Sequence, residues 1–251
     1  MLATVRDKQS YRTAVWDRLE AEGVARFPFP PHGRIPNFAG ARAAADRVAA
    51  LCDWGDVEVL KSNPDAPQRP LRAKALQDGI TVVMAEPRLR SSRPFLVLDP
   101  ARIDDAEDAA TIGGASEHGR PVEPSAVPTV DMVLVGSVAV DEAGRRIGKG
   151  EGYSDLEFAM LLEYGRLARD VPVVTTVHEH QLYTDPLPSD PLDVPVDTVV
   201  TPERVVRAQS RPSRPEGIDW SHLEEGRLDE MPALRSLRES PPADGAESRN
   251  E

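Results

Sequence analysis

The chain has 251 residues, 40% of them hydrophobic, enough for one large packed domain or two small ones. A formal net charge of −12 argues against a general nucleic-acid binder, which neutralises phosphates with clustered lysine and arginine. A single cysteine, Cys52, excludes an intrachain disulfide. With no signal-peptide pattern and no apolar run near the roughly 18 residues of a membrane span, a soluble cytoplasmic protein is expected.

In chain order, residues 7–22 read as an amphipathic helix with Tyr11, Ala14, Val15 and Leu19 on one stripe and Gly23 as terminator. Residues 27–40, rich in proline and glycine, are expected to form an irregular arm. An alanine-rich helix is expected over 41–51, and Cys52, next after it, as a small buried hydrophobe. A short strand at 57–60, a loop at 63–70, a helix at 70–78 and strands at 80–85 and 95–98 follow. The acidic stretch 104–119 reads as a mobile excursion. Then come a strand at 132–135, the apolar run 138–140, a glycine loop, a helix over 155–168 and strands at 172–177 and 196–201. Compact apolar strands alternating with helices predict an α/β domain of three layers, a mostly parallel sheet covered by helices on both faces. That domain is expected over residues 1–207. The remainder, 208–251, turns to proline, serine, arginine and glutamate. Its apolar islands 218–220 and 231–237 are expected to dock back, and its last dozen residues to be disordered.

The glycine loop carries the strongest chemical signal. Glycines at 144, 148, 150 and 152 surround Arg145, Arg146 and Lys149, between an apolar strand and a helix. Glycine lets a ligand approach the main chain, and N–H groups at a helix start cradle phosphate. A strand, a basic glycine loop and a helix therefore predict an anion site for a nucleotide, although the spacing matches neither the P-loop nor the dinucleotide fingerprint.

Three further sets of residues have two readings each. Lys8 and Arg12 share one side of the first helix, either as a solvated charged face or as two cations reaching a phosphate. Asp155 caps the helix that follows the loop, and Asp193 and Asp197 make turns, or these carboxylates hold Mg²⁺ beside a triphosphate. His178 and His180 lie on one face of a strand end as structural side chains or as two Zn²⁺ ligands, with no third ligand at suitable spacing. Lysine is rare: 26 of the 30 basic residues are arginines, so the surface resembles the acidic, lysine-poor surfaces of proteins from salt-loving organisms.

Taken together, these pieces resemble the 5-formyltetrahydrofolate cyclo-ligase family, the methenyltetrahydrofolate synthetases. The resemblance rests on the KxxxR pattern of Lys8 and Arg12, on Arg146–Asp155 (RIGKGEGYSD, against the family's R-[LI]-G-x-G-x-G-Y-Y-D), and on the stretch VVTTVHEHQLYTDPLPSDPLDVPVDTVVT. It covers residues 7–207. ARFPFPPHGRIPNFAGA and NPDAPQRP are similar to the divergent branch called methenyltetrahydrofolate synthetase domain-containing proteins. Animal members of that branch carry an added RNA-recognition domain, whose aromatic motifs do not occur in this sequence.

The resemblance implies a fold of the cyclo-ligase type, similar to the sugar-phosphate isomerase and CoA-transferase group. It also implies ATP- and Mg²⁺-dependent closure of 5-formyltetrahydrofolate to 5,10-methenyltetrahydrofolate, through phosphorylation of the formyl oxygen and attack by N10. By matching positions, Lys8, Arg12, Arg146, Ile147, Gly148, Lys149, Gly150, Glu151, Gly152 and Tyr153 would hold ATP, with Arg146 and Lys149 catalytic. Residues 150–153 and Glu58 would meet the folate, and Asp155 and Asp193 would ligate Mg²⁺. Glu151 and Ser154 depart from the family's loop, which leaves a binding protein without turnover as the alternative. A role beside RNA is weaker still, given the acidic charge and few aromatics.

Overall fold

The computed structural model describes residues 7–223 and 225–242. The elements in chain order are α1 (Lys8–Ala21), β1 (Ala25–Arg26), β2 (Asn37–Phe38), α2 (Ala41–Ala49), β3 (Val59–Ser62), α3 (Arg69–Gln77), β4 (Thr81–Ala85) and β5 (Phe95–Leu98). They continue as α4 (Ala106–Ala109), α5 (Ile112–His118), β6 (Arg120–Val122), β7 (Met132–Val135), β8 (Ala139–Asp141), β9 (Arg146–Ile147) and α6 (Tyr153–Glu163). The last are β10 (Val173–Thr176), β11 (Leu182–Tyr183), β12 (Thr198–Val200), β13 (Val205–Arg207), α7 (Glu225–Asp229) and α8 (Pro232–Glu239).

Eight strands form one sheet in the order β13-β12-β10-β7-β3-β4-β5-β6. The five central strands, β12 to β4, run parallel, and the edges β13, β5 and β6 run antiparallel. Alternation along each strand feeds two cores. Val83, Ala85, Val133 and Val135 point to one face, with Phe158 and Met160 of α6. Val82, Met84, Met132 and Leu134 point to the other, with Val48 of α2 and Leu71 and Ala75 of α3. Parallel strands buried on both faces need continuous apolar runs, and MVLV and VVTT supply them. The three-layer expectation therefore holds. A small sheet, β11-β8-β9, packs against α1 through Val138, Ala139, Ile147 and Val15.

The stretch 104–119 corrects its expectation. It is folded as α4 and α5, and Ala109, Ala110 and Ala115 are fully buried. Its acidic residues obscured a small-residue stripe. At Gly114 an added Cβ would stand 2.1 Å from the Asp108 carbonyl oxygen, so the two helices meet at a distance only glycine allows. In the C-terminal segment, Ile218, Met231, Leu234 and Leu237 join the core cluster that contains Phe158. The expectation of a disordered end falls, from residue 243 onward, outside the described residues. No helix among the described residues is long and apolar enough to cross a membrane.

Candidate active site

In a doubly wound sheet, ligands bind beyond the carboxyl ends of the strands where the strand order reverses. Here the chain builds β3 and β4 to one side and then crosses to β7, so the reversal lies between β3 and β7. Residues just past those two ends line a cleft of about 760 Å³: Asn63, Pro64 and Asp65 after β3, and Gly136 after β7. Asn63 bridges the reversal directly, its Oδ1 accepting the Gly136 N–H at 3.0 Å.

The glycine loop forms the next wall. Gly150 has φ of 106° and Gly152 φ of 69°, both in the left-handed region that disfavours a Cβ. Gly152 is the N-cap of the 11-residue α6, and no side chain caps it. Helix α1 reaches this turn. Arg12 Nε donates to the Gly148 carbonyl at 2.7 Å, and its guanidinium carbon would lie 3.3 Å from a Cβ on Gly150. Lys8 Nζ lies 2.5 Å from Asp193 and 2.6 Å from Asp190. Burial lowers the Arg12 pKa, against the opposing charges of Asp193 and Asp7.

Lys149 Nζ pairs with Glu151 at 2.8 Å. Its partial burial disfavours the charge, but the Glu151 hydrogen bond and the charges of Asp65, Glu151 and Glu157 outweigh this and raise its pKa above the usual lysine value. Arg146 is buried and fully engaged by the protein. Its Nη2 pairs with Asp155 at 2.5 Å, its Nη1 donates to the Gly136 carbonyl at 3.1 Å and its Nε to that of Val194. Asp155 also accepts the N–H of Val194, the residue after Asp193, at 3.0 Å.

Beneath the cleft lies a buried network that sequence reasoning missed. Lys61 of β3 pairs with Glu157 of α6, and both are almost wholly enclosed. Asn63 Nδ2 donates to the same Glu157 oxygen at 3.0 Å, and Ser154 Oγ donates to Asn63 Oδ1 at 3.0 Å. Arg72 is fully buried and donates to the carbonyls of Asn63, Pro64, Asp65 and Ala110. Desolvation pulls its pKa down to about 9. Burial raises the pKa of Glu157 despite Lys61. Burial likewise raises that of Asp65, against the charges of Lys149 and Arg72. Asp65 faces the cleft, and its carboxylate accepts no hydrogen bond from another described residue. The signal for Lys61 was available: it is one of only four lysines, inside the apolar strand VLKS.

The structure brings together Arg146, Gly148, Lys149, Gly150, Glu151, Gly152 and Tyr153 with Lys8, Arg12, Asp155 and Asp193, whereas Ile147 is buried in the core against α1 and does not line the cleft. It does not bring Glu58, which is exposed at the start of β3, the amino end, with the cleft at the other. A strand's two ends serve opposite edges of the sheet, so Glu58 is removed from the folate candidates. Asp155 is not a cap, because the helix begins at Tyr153 with Gly152 before it. Asp197 is occupied by Arg211 at 2.6 Å and by Arg214, and accepts the Val173 N–H. The His178 and His180 rings meet tilted at 56°, with centroids 4.7 Å apart, and His178 Nδ1 accepts the His180 N–H to cap a short turn. No group of three or more histidine, cysteine, aspartate or glutamate side chains suited to a metal occurs among the described residues.

The sheet order, the reversal-point cleft and the glycine turn that α1 reaches define an α/β protein of the cyclo-ligase architecture. A model of the 5-formyltetrahydrofolate cyclo-ligase family matches residues 5–202, and the chain belongs to that family. A methenyltetrahydrofolate synthase domain-containing protein of Bos taurus is 42% identical over 235 residues, 92% of this chain and 62% of its own length. Its Homo sapiens counterpart is 37% identical over 234 residues, 92% of this chain and 61% of its own length. The chain thus spans about three fifths of these relatives. Among solved structures, the 5,10-methenyltetrahydrofolate synthetase of Aquifex aeolicus shares the fold, with a TM-score of 0.52 and 20% identity over 86% of this chain and 99% of that one.

Proposed function

We propose that the chain catalyses the ATP- and Mg²⁺-dependent closure of 5-formyltetrahydrofolate to 5,10-methenyltetrahydrofolate. The observation that carries this reading is the meeting of α1 with the glycine turn, where Arg12 lies against Gly148 and Gly150. A left-handed turn at a helix N-terminus offers main-chain N–H groups and a positive dipole, and α1 adds side-chain cations. Those features fit a polyphosphate. The donor set also fits Mg²⁺, which takes one or two carboxylates together with phosphate oxygens and water. Asp155 and Asp193 are two carboxylates lining the same cleft.

In this reading Lys8, Arg12, Lys149 and the main chain of 147–153 hold phosphate oxygens, and Asp155 and Asp193 hold Mg²⁺. When bound, Mg²⁺ supplies charge neutralisation for phosphoryl transfer. Arg146 touches no reacting atom; it positions Asp155 and the loop, a role unlike the one expected from the motif. Asp65 takes the place of Glu58 as the acidic contact for the reduced pterin, whose amidine edge presents two N–H donors to a carboxylate. Transfer of the terminal phosphoryl group to the formyl oxygen turns that oxygen into a leaving group. N10 attacks the formyl carbon and gives up its proton, and phosphate departs. Fixed donors around the moving charge are what lower the barrier.

The test is purified protein with ATP, Mg²⁺ and 5-formyltetrahydrofolate, read by growth of the methenyl chromophore in the near ultraviolet. Lys149→Ala and Asp155→Ala are each expected to weaken nucleotide binding, and unchanged ATP affinity in both would refute the pocket. The Lys149–Glu151 pair favours a second reading, a protein that binds without turnover, because Glu151 neutralises a cation that phosphate would use. Saturable ATP binding with neither ADP nor methenyl product selects that reading.

A further inference from the structure

A buried ion pair is costly: both charges leave water, and apolar side chains of similar size often serve a fold as well or better. Lys61 and Glu157 form such a pair between β3 and α6 all the same. Its consequence is visible at Asn63. Lys61 Nζ and Asn63 Nδ2 both donate to the same oxygen of Glu157. An ionised carboxylate accepts hydrogen bonds and donates none, so it fixes the NH₂ end of the Asn63 amide toward itself. The opposite end is fixed by the opposite logic. The Gly136 N–H and the Ser154 hydroxyl each donate to Asn63 Oδ1 at 3.0 Å, and together they fill its two lone pairs.

One amide thus ties three elements: β3, which leads into it, the end of β7 at Gly136, and the first turn of α6 at Ser154. The main chain of the same residue is held as firmly. Its N–H donates to the Leu134 carbonyl at 3.0 Å, and its carbonyl accepts from Arg72 Nη1 at 2.6 Å. Ser154, where the family's motif has its second tyrosine, therefore has a use in this chain: its short side chain brings a hydroxyl onto Asn63. The joint also stands between the two sides of the cleft. Asp65 follows Asn63 by two residues, and the glycine turn runs through Gly152 and Tyr153 directly into Ser154.

Resting on the cyclo-ligase reading above, we propose that Asn63 is a positioning residue for phosphoryl transfer and that the Lys61–Glu157 pair orients its amide. The joint sets the glycine turn, which in that reading holds the phosphoryl donor, against the end of β3, whose Asp65 holds the acceptor. Asn63 touches no reacting atom. When the joint slackens, each substrate still binds its own side of the cleft, but the terminal phosphorus and the formyl oxygen no longer meet in line. A misplacement of about 1 Å between reacting groups costs about a hundredfold in rate. The loss therefore falls on kcat and spares the two affinities.

The test uses the full chain and compares two variants that both lack the buried charges, Lys61→Met/Glu157→Gln and Lys61→Met/Glu157→Leu. They differ in one group: the amide oxygen of the first can accept from Asn63 Nδ2, and the second has no acceptor. Methenyl formation, ATP affinity by calorimetry and amide hydrogen exchange across residues 146–157 are measured in both and in the parent. The Glu157→Leu double variant is expected to lose about 100-fold in kcat, with ATP Kd and folate KM each within about threefold, and to exchange faster across that segment. The Glu157→Gln double variant is expected to restore kcat to within about fivefold of the parent, together with slow exchange. Ser154→Ala, which removes one donor from Asn63 Oδ1 and leaves the core alone, is expected to lower kcat about three- to tenfold at unchanged ATP Kd. It replaces the Glu157→Leu double variant in the comparison if that chain does not fold. Turnover by the parent, with kcat in the Glu157→Leu double variant equal to that in the Glu157→Gln one, overturns the joint and leaves the cyclo-ligase reading standing. A parent that makes no methenyl product sinks that reading, and exchange then decides: faster exchange without the Asn63 acceptor supports the joint, and equal rates overturn it.

Discussion

Lys61 and Glu157 face each other at the floor of the cleft with side-chain exposures of 1% and 5%, whereas Lys149 and Glu151, at its rim, keep 35% and 41%. The chemistry of the two pairs is the same and their consequences differ. Inside, neither charge can find water, so each depends on the other and on Asn63. At the rim both charges keep partial access to water, so the pair is worth less, and in the proposed function Lys149 exchanges its carboxylate for a phosphate oxygen. Burial, more than residue type, separates a fixture from a ligand-binding group.

Breaking the inner pair should have the largest effect. Lys61→Ala strands a buried carboxylate and is expected to destabilise the fold by about 3–5 kcal/mol in chemical denaturation. A midpoint equal to the parent's would show that the pair is not sealed. Next comes the rim. Lys149→Ala is expected to raise the ATP Kd about 10- to 100-fold, with a melting temperature within about 2 °C of the parent, by calorimetry and thermal scans. Equal losses of stability in the two lysine variants would erase the distinction between the pairs.

Asp65 tests the floor from the other side. Burial raises its pKa, so the folded chain holds this proton more tightly than the unfolded chain does. The stability that comes from the proton is complete below the ordinary aspartate value of 3.8 and is lost as pH climbs through the raised value. Asp65→Asn removes the buried charge. It is expected to raise the melting temperature by about 2 °C at pH 7, with the gain vanishing near pH 4, while pterin affinity falls. A pH-independent difference would refute the assignment. The smallest effect is expected for Glu151→Gln, which frees Lys149 and should tighten ATP binding about two- to fivefold at low salt and less at high salt. Weaker binding would show that Glu151 serves the nucleotide site instead of competing with it.

Much of the fold was legible because its strands are nearly unbroken apolar runs. MVLV, VVTT and TVVMA can be satisfied only inside a covered sheet. The glycine loop was legible for a related reason: few structures other than a close main-chain approach call for so many glycines beside cations. Helix ends were less so. The helix after the loop runs over Tyr153–Glu163 instead of 155–168, since Gly152 in a left-handed conformation starts it without a side-chain cap. The acidic stretch 104–119 was misread because charge on its outer face masked Ala109, Ala110 and Ala115 on its inner one. Lys61, Arg72 and Glu157 fell in no motif given a role, and Asn63 and Asp65 lay in one without an assigned role, since what makes the five a network is enclosure.

The sequence by itself determined the central strands, the glycine turn and the family resemblance, because each depends on residues near one another in the chain. Only the tertiary structure decided which end of β3 meets the cleft, with Asp65 lining it and Glu58 at the other end of the strand. It alone brought Arg12 onto a turn more than a hundred residues away, and Lys8 onto Asp190 and Asp193. Those outcomes rest on strand order and burial, and both arise from packing the whole chain, so no local pattern encodes them.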